Sequence, residues 1–575
     1  MLRFQARRPS ANVATLPAPS TSLLLTRLER IARRFGEGGA PQKLQLLRQV
    51  GRRRLTTPAQ VRRLHEVICF LRAYPDDADV LAEVERQVAT FGQRRDVAAM
   101  REELADSGIA GTPIQYQFHW PTARWLAARW PRHLDIDWEW FDSAVTAPQL
   151  LDLAVSRAQV VDIASLDLTT QQWIERIKGP GQTGGTFVVR RFEALEVDEP
   201  TRQTIYETLD VPMRLSPGPD TPSRTRAKVA LHAPVFQRAP LSSARPDLAA
   251  AIRVPPRSVK DVVGARAEAL IDVAREAMVT RARDLDAIQH ANPEDVRLID
   301  VGDGVMLSCI GLLPAFRPLV ETVHVFVLHK NGVPLGYYQS ALLFGSAELN
   351  YNVFEPFRGT QAAAIYAKAL SAVHHLFGAD VFAVDPYQLG QDNDEALASG
   401  AFWFYQKLGF RPAEAGARRV LAREQRRMAR DPAHRSSPAT LRRLASGHVY
   451  FHLDRPRDDV AGKVCLDRIG LAVGEWVARH HGGDSEAAEA ECSRRVRAGL
   501  GLPSASALDP TQRRCLARWS VLACVLGVER WSRPERRAVV SILLAKAATR
   551  EDDFAIGLAR HARLRGALLR LAASG

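Results

Sequence analysis

Two stretches carry residue types at spacings that suit chemistry. The first is Arg358-Gly359-Thr360, a glycine-containing turn between a strand ending at Phe354 and an alanine-rich helix. A helix start offers free main-chain N–H groups and the positive end of the helix dipole, which together favour an anion such as a pyrophosphate. An ordinary strand-to-helix turn reads the same way, so the turn alone does not decide. The second stretch is the strand from Glu348 to Phe354. Alternation puts Leu349, Tyr351 and Val353 on one side and Glu348, Asn350 and Asn352 on the other. An interior strand does not bury three amide or acid side chains without partners. That face therefore reads as the wall of a polar cleft, with a water-facing edge strand as the alternative.

The elements that must position these residues follow from pattern. Val296 to Val301 and Val305 to Ile310 flank a Gly302-Asp303-Gly304 turn. Val323 to Leu328 leads through Asn331-Gly332, a two-residue hairpin signal, to a strand from Gly336 to Phe344. After the turn, the helix stops at Gly378, a left-handed C-cap, and a short apolar strand runs from Val381 to Val384. A last helix carries Ala401-Phe402-Trp403-Phe404-Tyr405-Gln406-Lys407-Leu408 and stops at Gly409. Strand, turn, helix, strand and helix in that order imply an α/β unit with a parallel strand pair, fed by antiparallel strands. A helix from Val259 to about Ile288 would precede it.

The segments VFEPFRGTQAAA and AFWFYQKLGF together resemble the GNAT N-acetyltransferase superfamily. Arg358, Gly359 and Ala363 fit its R-G-x-G-x-G/A turn; Tyr405, Lys407, Leu408, Gly409 and Phe410 fit its later Tyr-x-Lys-x-Gly-Phe-like segment. Gln361 stands where the second glycine is expected, and Ala398 where many members have asparagine. The resemblance covers Val323 to Pro412 firmly and reaches at most from Lys260 to Val420. It implies a mixed-sheet acyltransferase fold and transfer of an acyl group from acetyl-CoA, or another acyl-CoA, to a small-molecule or protein amine, with no metal. By the same resemblance Arg358, Gly359, Thr360, Gln361, Ala362 and Ala363 hold the pyrophosphate, and Val353 and Phe354 contact the pantetheine arm. Tyr405 would return a proton to the leaving thiolate, with a core aromatic as its other reading. Glu348 is the candidate base because it shares the polar face with Asn350 and Asn352, which would meet the acceptor; Glu355 is the second choice. Two other functions stay open. One is a degenerate GNAT-like protein that binds acyl-CoA or serves as a scaffold, motivated by Gln361. The other is an arginine-rich nucleic-acid binder.

Composition sets the frame around this unit. The 575 residues are 46% hydrophobic and 25% charged, in the range of globular proteins with several domains. No apolar run is long enough for a membrane helix. Six scattered cysteines without a C-x-x-C pair suit a reducing, cytoplasmic compartment. Residues 1–20, with Arg3, Arg7, Arg8 and no acid, read as a disordered tail, with a transit peptide as the alternative. Residues 21–110 read as a helical region with a start at Thr57-Pro58. Residues 111–255 form a mixed region holding Trp120, Trp125, Trp130, Trp138 and Trp140, which read as core packing rather than base stacking. Within it Lys178 to Gly185 reads as a link from a helix to a strand at Thr186 to Val189, and Ser216 to Arg226 and Arg238 to Arg257 as linkers or exposed loops.

The acyltransferase-like unit takes 256–420, a basic connector 421–460 and a C-terminal helical domain 461–575. Of the net charge of +14, a net +7 lies between Arg418 and Arg443. That run reads either as a polyanion patch or as a solvated helix face; the second is favoured because aromatic residues are missing from it. The helical flanks would meet any protein partner. His374-His375 and His480-His481 lack a third ligand and are not read as metal sites.

Overall fold

The computed structural model describes residues 19–141, 147–155, 167–242, 244–283, 285–359, 361–500 and 508–573. The first eighteen residues and Thr360 lie outside them. The fold is mixed α/β, with a large mixed sheet and many helices.

The sheet has nine strands: β1 (Ser258–Val262), β2 (Ala291–Asp300), β3 (Val305–Leu312), β4 (Thr322–Lys330), β5 (Val333–Leu343), β6 (Ser346–Val353), β7 (Val381–Val384), β8 (Arg411–Pro412) and β9 (Val449–His452). Their order across the sheet is β8-β9-β7-β6-β5-β4-β3-β2-β1. Strands β1 to β6 form an antiparallel run, and β7 joins β6 in parallel. The last strand, β9, inserts between β7 and β8. The turn residues explain the run. Asn331 and Gly332 both have positive φ, 51° and 78°, as a tight hairpin between β4 and β5 requires. The parallel step needs a crossover, supplied by a sixteen-residue helix, α2 (Ala362–Phe377), which Gly378 ends in the left-handed conformation.

Three sequence readings are corrected. Thr186 to Val189 is part of a helix, Gly184–Glu193, capped by Thr183, because the cap and the apolar face Val188, Val189, Phe192 outweigh its β-branched character. The helix expected from Val259 to Ile288 is β1 followed by α1 (Ala265–Val279) and a short turn of helix; the alternation in Ser-Val-Lys-Asp-Val is a strand signal. The stretch Ser216 to Arg226 is not an exposed linker, since Thr221, Ser223 and Thr225 are buried and Thr225 hydrogen-bonds His65 and the Ala110 N–H.

The tryptophan-rich region packs its own core around a three-stranded sheet. Trp120 and Trp130 are buried there, and Trp140 alone of the five is exposed. Helices Thr21–Ala32 through Ala78–Thr90 share one apolar core with the large sheet. The C-terminal helices keep a second core that includes Leu343 and Phe344 from the end of β5. Two buried arginines fasten that part to the sheet. Arg317 donates to the carbonyls of Lys546, Ala548 and Thr549, and Arg297 pairs with Asp552 at 2.7 Å.

Candidate functional site

The site arises where two neighbouring strands part. Strand β6 pairs with β5 as far as Val353, but with β7 only as far as Glu348, opposite Ala383. Strand β7 stops because Asp385 turns the chain. Its Oδ1 accepts the Gln388 N–H at 3.2 Å and caps α3 (Pro386–Leu389), whose proline has no N–H to continue a ladder. The Phe354 N–H donates to the Leu335 carbonyl at 2.8 Å, on the β5 side. The alternation of an antiparallel ladder therefore aims the main-chain groups of Tyr351 and Val353 away from β5, into the gap. A cleft of about 810 Å³ opens there, closed on its far side by α4 (Asp394–Ser399) and α5 (Ala401–Lys407).

One end of the cleft is acidic. Glu348, Asn350 and Asn352 all line it, so the polar face of β6 is a cleft wall and not a water-facing edge. Glu348 Oε2 lies 3.0 Å from His448 Nε2, a residue in the turn before β9. Asp385 joins them as a cleft-lining carboxylate. Burial first, and the Glu348 charge second, push its carboxyl up from the usual carboxylate range. Tyr405 lines the same end, is 4% exposed, and its hydroxyl has no hydrogen-bond partner among the described residues. Burial and the nearby Asp385 push this phenol up, so it holds its proton at neutral pH. It stands in an aromatic cluster with Tyr366 and Phe410. Sequence reasoning found neither His448 nor Asp385. His448 is a hundred residues from its partner and comes alongside only because β9 inserts next to β7; Asp385 had a legible signal in Asp-Pro, a helix start directly after a strand.

The other end is basic. Arg358 Nε donates to the Val353 carbonyl at 3.0 Å, and its Nη2 lies 2.6 Å from Glu395. Arg283 also faces the cleft, 3.9 Å from the same carboxylate and 3.3 Å from the Tyr337 hydroxyl. Glu395 thus sits between two guanidinium groups. Beyond Arg358, Gly359 has φ 105° and Gln361 has φ 66°. Gln361 takes the left-handed conformation that usually selects glycine, and its side chain does not line the cleft. Ala362 does line it, whereas Ala363 packs toward the core. Phe354 is buried, with the Arg281 guanidinium over its ring at 3.4 Å and its N–H and carbonyl both engaged within the protein. Glu355 is exposed on the outside of the turn and does not line the cleft. The turn is held from behind by Arg33, which donates to the carbonyls of Pro356 at 2.9 Å and Arg358 at 3.0 Å.

The arrangement is a polar cleft with opposite charge at its two ends. It has a strand edge with no neighbouring strand, a sixteen-residue helix opening at one end, two arginines beside that opening, and Glu348, Asp385, His448 and Tyr405 at the other end. His374 and His375 are taken up by main-chain carbonyls, and no group of three metal-ligating side chains exists among the described residues. No helix there is long and apolar enough to cross a membrane. No protein-family model, no curated protein and no solved structure matches the chain.

Proposed function

We propose that the chain is an acyl-CoA-dependent N-acyltransferase whose reaction takes place in the cleft between β6 and β7. The observation that supports this most is the parting of those strands after Glu348, which leaves Tyr351 and the Val353 N–H with no neighbouring strand beside a cleft with one basic and one acidic end, the Val353 carbonyl being held by Arg358. Acyl-CoA would supply an activated thioester carbonyl. The α2 start, Ala362 and Arg358 hold the pyrophosphate in this reading, and the free β6 edge accepts the pantetheine arm. Glu348, oriented by His448, takes the proton of the attacking amine directly or through one water. The Tyr351 or Val353 N–H faces the carbonyl oxygen as charge builds there. Tyr405, which keeps its proton, gives it to the departing sulfur. The acceptor end carries Glu348 and Asp385 with no lysine or arginine paired to either among the described residues, which suits an amine that arrives as a cation.

Transfer of labelled acetyl from acetyl-CoA to a panel of amines tests the proposal. Tyr405→Phe and Glu348→Gln should each lower kcat by about 10²–10⁴-fold, the usual worth of a positioned acid or base. Unchanged rates in both would remove the assignments. A second reading, a non-catalytic acyl-CoA binder or scaffold, is favoured by Glu395, which already neutralises Arg358. Calorimetry showing CoA binding with no turnover on any amine selects it.

A further inference from the structure

The large sheet ends in an open edge far from the cleft. Strand β1 pairs with β2 from Ser258 opposite Asp300 to Val262 opposite Val296, and among the described residues no strand pairs with its other side. Natural edges are covered, shortened or charged, because their free N–H and C=O groups recruit further strands. This one is accessible: Val259, Lys260 and Asp261 are exposed in succession. A groove of about 550 Å³ opens next to it on the face of β1, β2 and β3, floored by Val262, Leu298 and Met306, with Leu231, Val235 and Val263 around it. Val235, Val259 and Val263 are 39%, 43% and 71% exposed. Three valines this open at one strand and its groove stand apart from the scattered apolar exposure of ordinary surfaces.

The charges on the groove are one-sided. Arg257, Lys260 and Arg266 line it, and none has a carboxylate within ion-pair distance among the described residues. The two acids present are already occupied. Asp261 is held by Arg550 at 2.8 Å, and Asp300 accepts the Gly302 N–H at 2.8 Å.

We propose that this edge receives an extended acidic segment of a partner protein, added to β1 as a further strand. Main-chain hydrogen bonds to the free side of β1 would give affinity, and alternate side chains would give selectivity. In such a strand the groove-side face turns Asp or Glu to Lys260, with Arg257 and Arg266 beside it, and the opposite face turns an apolar residue to Val259. A second copy of this chain is the poorer occupant, because it brings the same three unpaired cations to the contact. The chain's own first eighteen residues fit no better, since they carry Arg3, Arg7 and Arg8 and no acid.

The test uses the full-length protein and a labelled synthetic peptide of alternating glutamate and valine, followed by fluorescence polarisation. The peptide should bind. Lys260→Glu with Arg266→Glu, both on exposed side chains, should weaken it by about tenfold or more, with the circular dichroism spectrum unchanged. Methylating the peptide's backbone nitrogens on one edge should do the same, whereas an Arg423→Glu, Arg426→Glu protein should bind as before. The proposal is overturned if the double variant binds equally well, if the methylated peptide keeps its affinity, or if loss follows the Arg423 and Arg426 changes instead. Sedimentation showing a dimer that Lys260→Glu dissociates would overturn it in favour of a second copy.

Discussion

Tyr405 is the residue on which chemistry can be tested most directly. Its hydroxyl sits in the cleft with no protein partner, so Tyr405→Phe removes one oxygen without leaving a buried group unpaired. Thermal stability should therefore stay within about 0.5 kcal/mol while acyl transfer falls, which separates a proton donor from a core aromatic. Glu395 gives a second residue-scale prediction. It stands on the guanidinium of Arg358, where the phosphate of the proposed acyl-CoA would compete with it. Glu395→Gln should tighten CoA binding by about threefold to tenfold in calorimetry, the range for a partly exposed ion pair; weaker binding would mean that Glu395 positions Arg358 instead of masking it. Glu276, on α1, titrates in an accessible range. Burial, with the Asp272 charge second, pushes it up to about 7. A carboxyl raised on folding binds its proton more tightly in the native state. Its contribution is present below the unfolded carboxylate range and is lost as pH rises toward 7. Urea denaturation should show stability falling by about 1–3 kcal/mol between pH 4.5 and 8. Glu276→Gln should flatten that slope.

At the scale of elements, the helix opening at Gln361 is the informative case. Its φ of 66° costs a residue with a side chain about 1–2 kcal/mol, which glycine avoids in the folded state at the expense of more freedom in the unfolded one. Gln361→Gly should leave stability within about 1 kcal/mol of the native protein. Because the Gln361 side chain does not line the cleft, CoA affinity should stay within about twofold in calorimetry, and a rise of about tenfold would mean that Gln361 screens the α2 N–H groups after all. The strands, hairpins and helix ends that frame the cleft were legible because each carries a local signature: Asn331-Gly332, the β6 alternation, Gly378 after α2. The left-handed turn itself was legible as a pattern but not as a conformation. The helix Gly184–Glu193 was not legible, because its β-branched run points to a strand and only its cap and packing decide otherwise. His448 was hidden for a different reason. Its pairing with Glu348 exists only through the insertion of β9 beside β7, and nothing local to either residue encodes that adjacency.

Across the whole molecule, two apolar cores meet along one sheet. The C-terminal helices are joined to it through buried charges, which make separation costly because each partner left behind is desolvated. Arg297→Ala takes the guanidinium at 3.5 Å from the fully buried Asp295, leaving it only His324 at 3.6 Å, and takes from Asp552 its 2.7 Å partner, leaving Arg550 at 3.5 Å. That change should lower stability by about 3–5 kcal/mol in guanidinium denaturation. It should also release the C-terminal part to limited proteolysis before the sheet unfolds. The N-terminal helices are bound in more than apolar contact, since Arg33 grips the carbonyls of Pro356 and Arg358. It follows that the part of the chain that builds the cleft cannot be excised as a self-sufficient unit. A recombinant fragment starting at 256 would carry the 355–361 loop without the clasp that shapes it, and a swap of the leading helices between variants of this protein would retune that loop from outside the cleft.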